Sequence, residues 1–208
     1  MNLSRNFSLQ ELIKSDTAIR KGINNNPNAE QIEKLKLLCE NILQPVRDHF
    51  GRVKVTSGFR SPELCLAIGS SINSQHAKAE AADFECVGVD NAELFDWIKS
   101  NLEPDQLILE FYTPGEPNSG WIHASWIDGT PRASYLWAYK SEGKTKYKPV
   151  LTKAKECEEE AILVAIVQEY YRCTNCGHDT KQHINGRIRY MQLSETDRNF
   201  IKNHYKNG

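Results

Sequence analysis

Two hydrophobic periods follow one another along this chain, and their order constrains the fold more than any other feature. Ile32, Leu35, Cys39, Ile42, Val46 and Phe50 recur at helical spacing, and Gly51 follows as a natural stop. The spacing predicts one long helix over residues 29–50. Pro45 predicts a kink or break within it, because proline lacks the N–H that a helix interior needs. Beyond Gly51 the pattern shortens. Strands are predicted over residues 53–57, 81–86, 106–112, 121–127 and 134–139, with a helix over 92–102 and a shorter one opened by Ser61-Pro62. Thr113-Pro114-Gly115-Glu116-Pro117-Asn118-Ser119-Gly120 is rich in turn formers and suits an antiparallel hairpin. Near the start, Ser8 and Glu11 have the spacing of a capping box, with Phe7 and Leu12 placed to staple the helix entry. Helices first and strands later predict an α+β fold, with helices packed on a small antiparallel sheet.

Charge and cysteine usage narrow the function. The net charge of −1 provides no global attraction for nucleic acid or an anionic membrane, so neither is expected as a partner. Residues 1–15 lack a basic stretch followed by an apolar core, and the longest apolar run, 161–167, is too short to span a bilayer. Synthesis in the cytoplasm, without a signal peptide or transmembrane segment, is the expectation. The six cysteines are then expected as thiols or metal ligands rather than a disulfide framework. A mild basic tilt toward the C-terminus suggests two parts, at residues 1–145 and 146–208. Nothing in the sequence indicates an oligomeric state.

The chemistry is concentrated in Ser74-Gln75-His76-Ala77-Lys78-Ala79-Glu80-Ala81-Ala82-Asp83 and in Trp121-Ile122-His123. Catalytic zinc sites commonly take three protein ligands and keep a fourth position for water. Two neutral imidazoles and one carboxylate leave the cation positive, so it can lower the pKa of bound water toward ~7. His76 at the end of a loop, Asp83 on the following strand and His123 on a facing strand can converge on one sheet face. By spacing alone, the same residues equally suit histidines packed in the core or lying at the surface.

Several segments in order carry a resemblance. Val53-Lys54-Val55-Thr56-Ser57-Gly58-Phe59-Arg60-Ser61 is similar to the SGYRS-type segment of the peptidase M15 family, which includes D-alanyl-D-alanine carboxypeptidases, dipeptidases and phage endolysins. Ser74-Gln75-His76 with Asp83 resembles that family's SxHxxGxAxD zinc motif, and Trp121-Ile122-His123 its final WxH ligand. Phe7-Ser8-Leu9-Gln10-Glu11-Leu12, Leu43-Gln44-Pro45-Val46-Arg47 and Asp105-Gln106-Leu107-Ile108-Leu109-Glu110-Phe111 match further pieces in the expected order. The resemblance implies a zinc peptidase acting on peptidoglycan peptides at the cell wall, with His76, Asp83 and His123 as zinc ligands. It also implies that Arg60 holds a substrate carbonyl or carboxylate and that Ser74 helps bind substrate; the plainer alternatives are a surface ion pair and a loop cap.

Three departures stand out. The carboxylate that many family members place three residues before the last histidine is Gly120 here, so the expected general base moves to Glu110 on the partner strand, or to Glu116 in the hairpin loop. Ala79 replaces the zinc motif's glycine. Cys65 and Ser70 stand where this branch usually shows Asn and Gly. Outside the resemblance, Cys173 and Cys176 form a CxxC with His178 and His183 close behind, a candidate second metal site or a pair of free thiols on a hairpin. A non-catalytic binding or virion-associated protein with the same fold is the alternative that Gly120 favours.

Overall fold

The computed structural model describes residues 1–150, together with the backbones of 161–165, 170–173, 179–181 and 191–192. Cys176, His178 and His183 lie outside the described residues. The chain forms two compact units, Met1–Val150 and Leu151–Gly208. The second holds a sheet of β7 (Ala161–Ala165), β8 (Tyr170–Cys173), β9 (Asp179–Lys181) and β10 (Met191–Gln192) in the order β10-β9-β8-β7.

In the first unit, α1 (Leu9–Ile13) opens with the reciprocal capping box of Ser8 and Glu11, and both Phe7 and Leu12 are buried. A helix not expected from periodicity, α2 (Asp16–Lys21), follows at once. Ser15 caps its start and Gly22, at φ 65°, ends it. Its signals are the caps alone, because so short a helix shows no period. The predicted long helix is α3 (Ala29–Leu38), a π-helical turn (Cys39–Leu43) and α4 (Gln44–Phe50). Pro45 does not end the helical path. In the wider turn before it, Gln44 donates its N–H to the Cys39 carbonyl, giving room for a ring that cannot donate to residue 41.

β1 (Val53–Ser57), α5 (Pro62–Ala67), β2 (Ala81–Cys86), α6 (Asn91–Asn101), β3 (Gln106–Glu110), β4 (Trp121–Ser125), β5 (Ser134–Ser141) and β6 (Lys144–Pro149) complete the unit. Their sheet has the order β1-β2-β4-β3-β5-β6, so β6 carries the first unit past residue 145. The α+β class holds, but the sheet is mixed rather than wholly antiparallel. β3 and β5 run parallel, with Ile108 opposite Leu136 and Glu110 opposite Ala138. Both edges of β4 are occupied by β2 and β3. β5 therefore cannot fold back beside β4 and crosses to the open edge of β3.

One sheet face is apolar and carries the helices. Phe84, Ile122, Ala124 and Leu107 meet Leu35, Leu38, Ile42, Val46, Leu94 and Ile98, all fully buried. Alternation along the strands sends their neighbours to the opposite face, where the site forms. Cys39, Cys65 and Cys86 are buried free thiols, and burial pushes Cys39 and Cys86 up to about 12, as expected of inert cysteines.

A buried amide ties the N-terminal helices to the loop after β1. Asn25 donates through Nδ2 to the carbonyls of Ile13 (2.8 Å) and Phe59 (3.1 Å), and its Oδ1 accepts from the Ser61 N–H (2.7 Å). Unsatisfied buried polar groups cost about 1–3 kcal/mol each. Asn25→Ala should therefore lower unfolding free energy by about 2–4 kcal/mol in a urea titration.

Candidate metal centre

Strand register delivers most of the centre. Asp83 on β2 lies directly opposite His123 on β4, Ser57 on β1 lies opposite Asp83, and Ile108 on β3 lies opposite His123. The four form one row across the non-core face. A bulge between Val55 and Ser57 re-aims the end of β1, and the Thr56 hydroxyl there donates to the Asp83 carbonyl at 3.0 Å. His76 comes from the loop between α5 and β2. That loop closes through Ala79 N–H to the His76 carbonyl and Glu80 N–H to the Gln75 carbonyl. Ala79, where the family motif has glycine, takes the left-handed conformation at φ 63° with its methyl fully buried. The loop thus keeps the shape that a glycine would give it, at a steric cost of about 1–2 kcal/mol.

The three side chains predicted as ligands meet at one point, each less than a tenth exposed. Asp83 Oδ1 lies 3.2 Å from His76 Nε2 and 2.9 Å from His123 Nδ1, and one donor atom from each residue falls within 4.8 Å of the others. Zinc–ligand bonds of about 2.0–2.1 Å set tetrahedral edges of about 3.3 Å, close to these separations. Each ring's second nitrogen is engaged away from that point. His76 Nδ1 lies 2.7 Å from the Gly58 carbonyl oxygen and must donate to it, leaving the Nε2 lone pair facing Asp83. His123 Nε2 lies 3.0 Å from Gln75 Oε1. Two imidazole lone pairs and a carboxylate oxygen, with ring tautomers held from outside, suit a divalent zinc-like cation.

Arg60 is drawn into the same constellation. Its Nη2 donates to Asp83 Oδ2 at 2.7 Å and its Nε to the Ser57 hydroxyl at 2.9 Å. Burial alone would push the Asp83 carboxyl up. The His76 imidazole and the hydrogen bond from His123 outweigh it and hold the group well below the ordinary carboxylate range.

The donors sit in the wall of a cavity of about 830 Å³ that Arg60, Ser74, Glu110, Trp121 and Tyr147 also line. Glu110 is opposite Trp121 and so diagonal to His123, on the same face of the β3–β4 ladder. Glu116, the other candidate base, is exposed in the hairpin and absent from the cavity wall. Ser74 both lines the cavity and caps its own loop, accepting from the Ala77 N–H at 3.3 Å. Gly120, at φ 68°, packs so closely on β3 that a Cβ there would lie 1.9 Å from the Glu110 carbonyl oxygen. This backbone therefore excludes any side chain, and with it a carboxylate, at position 120. Sequence reasoning missed Gln75, Asp105 and Arg132, which join the site through hydrogen bonds rather than as ligands; only the acid–base pair of Asp105 and Arg132 left a signal, and a weak one.

Burial first, and then the nearby Asp83 carboxylate, push Glu110 above its ordinary pKa, outweighing the lowering effects of His123 and Arg60. A carboxyl raised by the fold costs stability above its folded pKa, and the cost disappears below its unfolded pKa. In the metal-free protein, Glu110→Gln should raise Tm at pH 7. That gain should shrink toward zero as the pH falls through the ordinary glutamate range near ~4.3, measured by thermal melts across pH.

Among the described residues, no helix is long and apolar enough to cross a membrane. No curated protein matches the chain significantly. Residues 5–123 match the family model described as Peptidase M15. The match spans more than half of the chain, runs from the capped first helix through β4 and takes in all three converging donors. The chain therefore belongs to the peptidase M15 family.

Proposed function

We propose that this protein is a zinc-dependent peptidase that hydrolyses peptide bonds in peptidoglycan stem peptides or cross-links, and so acts on the cell wall. The observation that carries the reading is the convergence of His76 Nε2, Asp83 Oδ1 and His123 Nδ1 in the wall of a cavity that also holds Glu110. His76, Asp83 and His123 would hold the ion, and zinc bound there supplies a Lewis acid that polarises a carbonyl and acidifies water.

The remaining roles fall to the chain's own side chains. Glu110 accepts a proton from the attacking water and returns it to the departing amine, a task that suits a carboxylate with a raised pKa. Arg60 fixes the outer oxygen of Asp83, and its position in the cavity wall suits it to a substrate carbonyl or carboxylate. Ser74 lies where it can add a hydrogen bond to the peptide. Because Glu110 must be ionised to act, the acid limb of the rate profile should lie above the pH of an ordinary glutamate.

Incubation with purified muropeptides, read by mass spectrometry, tests activity and bond together. The wild-type protein should bind one zinc ion and release peptide fragments, and His76→Ala should lose both. Glu110→Gln should keep the metal and lose about 100- to 10,000-fold in kcat. Full activity in that variant would reject Glu110 as the base. Stoichiometric zinc with no cleavage of any muropeptide would instead support the non-catalytic reading.

A further inference from the structure

One ligand has its tautomer decided through several side chains in series. A neutral imidazole carries a single N–H, and zinc at His123 Nδ1 requires that hydrogen on Nε2. The acceptor facing Nε2 is Gln75 Oε1 at 3.0 Å. An amide can turn either end toward a neighbour, so its orientation must come from its other contacts. Gln75 Nε2 lies 3.0 Å from Asp105 Oδ2 and 2.7 Å from the Ser125 hydroxyl. Asp105 is only 1% exposed. The Arg132 guanidinium grips both its oxygens, and the Arg132 N–H adds a contact to Oδ1 at 2.9 Å. The side-chain hydrogen bond from Arg132 holds this carboxyl below the usual carboxylate range, so it can only accept. The amide must therefore turn its NH₂ to Asp105 and its oxygen to His123.

We propose that Gln75 is a positioning residue that holds His123 in its Nε2–H tautomer, with its amide oriented by the Arg132–Asp105 pair. The inference rests on the reading of His76, Asp83 and His123 as a metal site. Asp105 also holds the crossover to β5, since Ser134 N–H donates to its carbonyl at 3.0 Å. The same buried carboxylate thus serves the topology of the sheet and the protonation pattern of a ligand.

Long-range ¹H–¹⁵N spectra of the metal-free protein report the tautomer directly, and competition with a chromophoric chelator reports zinc affinity. In the wild type, His123 should be the Nε2–H tautomer. Gln75→Met removes the acceptor at similar volume; it should introduce the Nδ1–H form and weaken zinc binding about 10- to 100-fold. Combining Gln75→Glu with Asp105→Asn exchanges amide and carboxylate, and should restore both the tautomer and most of the affinity. A merely structural role for Gln75 predicts no such rescue. If Gln75→Met folds, keeps the wild-type tautomer and binds zinc within twofold, the proposal is overturned. Should Gln75→Met fail to fold, the Asp105→Asn single variant decides: freed to reverse, the amide should let the Nδ1–H form appear, and an unchanged tautomer would overturn the proposal. A wild-type protein that binds no zinc would reject the metal reading itself, while the metal-free spectra would still decide the role of Gln75.

Discussion

Asp83 facing His123 across the β2–β4 ladder is the contact on which the rest of the site depends. Strand side chains alternate, so a slip of one residue would bury Asp83 among the helices and turn Phe84 into the cavity. Phe84 and Ile122 are fully buried on the other face, and their burial opposes that slip. The apolar pattern that builds the core therefore also sets the spacing of the donor atoms. The bulge in β1 extends this row, placing Ser57 where it accepts from Arg60 and Arg60 where it reaches Asp83.

Gathering ionisable groups under a buried surface is costly unless each finds a partner. Here the partners come from backbone and side chains together: the Gly58 carbonyl for His76, Gln75 for His123 and Arg60 for the outer oxygen of Asp83. Glu110 is the exception. It sits in the cavity wall with its carboxyl raised by burial, a state that disfavours the fold at neutral pH and favours proton transfer. Gly120 belongs to the same compromise. The chain passes so close to β3 there that position 120 has no space for a side chain, so a carboxylate must enter the cavity from another strand.

Much of the framework is legible because it depends on short-range spacing. The capping box at Ser8, the helical period through Phe50 and the alternation around Asp83 and His123 each involve residues a few positions apart, where backbone geometry alone relates them. The identities of the three donors are equally local, since imidazole and carboxylate chemistry belong to the residues themselves. Proline at 45 shows where such reasoning stops. Its missing N–H was readable, but the accommodation by a π-turn rather than a break depended on Cys39, Ile42 and Leu43 being buried as one continuous helical face.

By itself, then, the sequence determined the periods, the caps and the kind of atoms available to a cation. Only the tertiary structure decided that β5 runs parallel to β3, that Glu110 rather than Glu116 lines the cavity, and that Arg132, Asp105 and Gln75 stand in series behind His123. Each of these joins residues far apart along the chain. Such partners meet only after strand edges have been filled and the core has closed, so no spacing in the sequence records them.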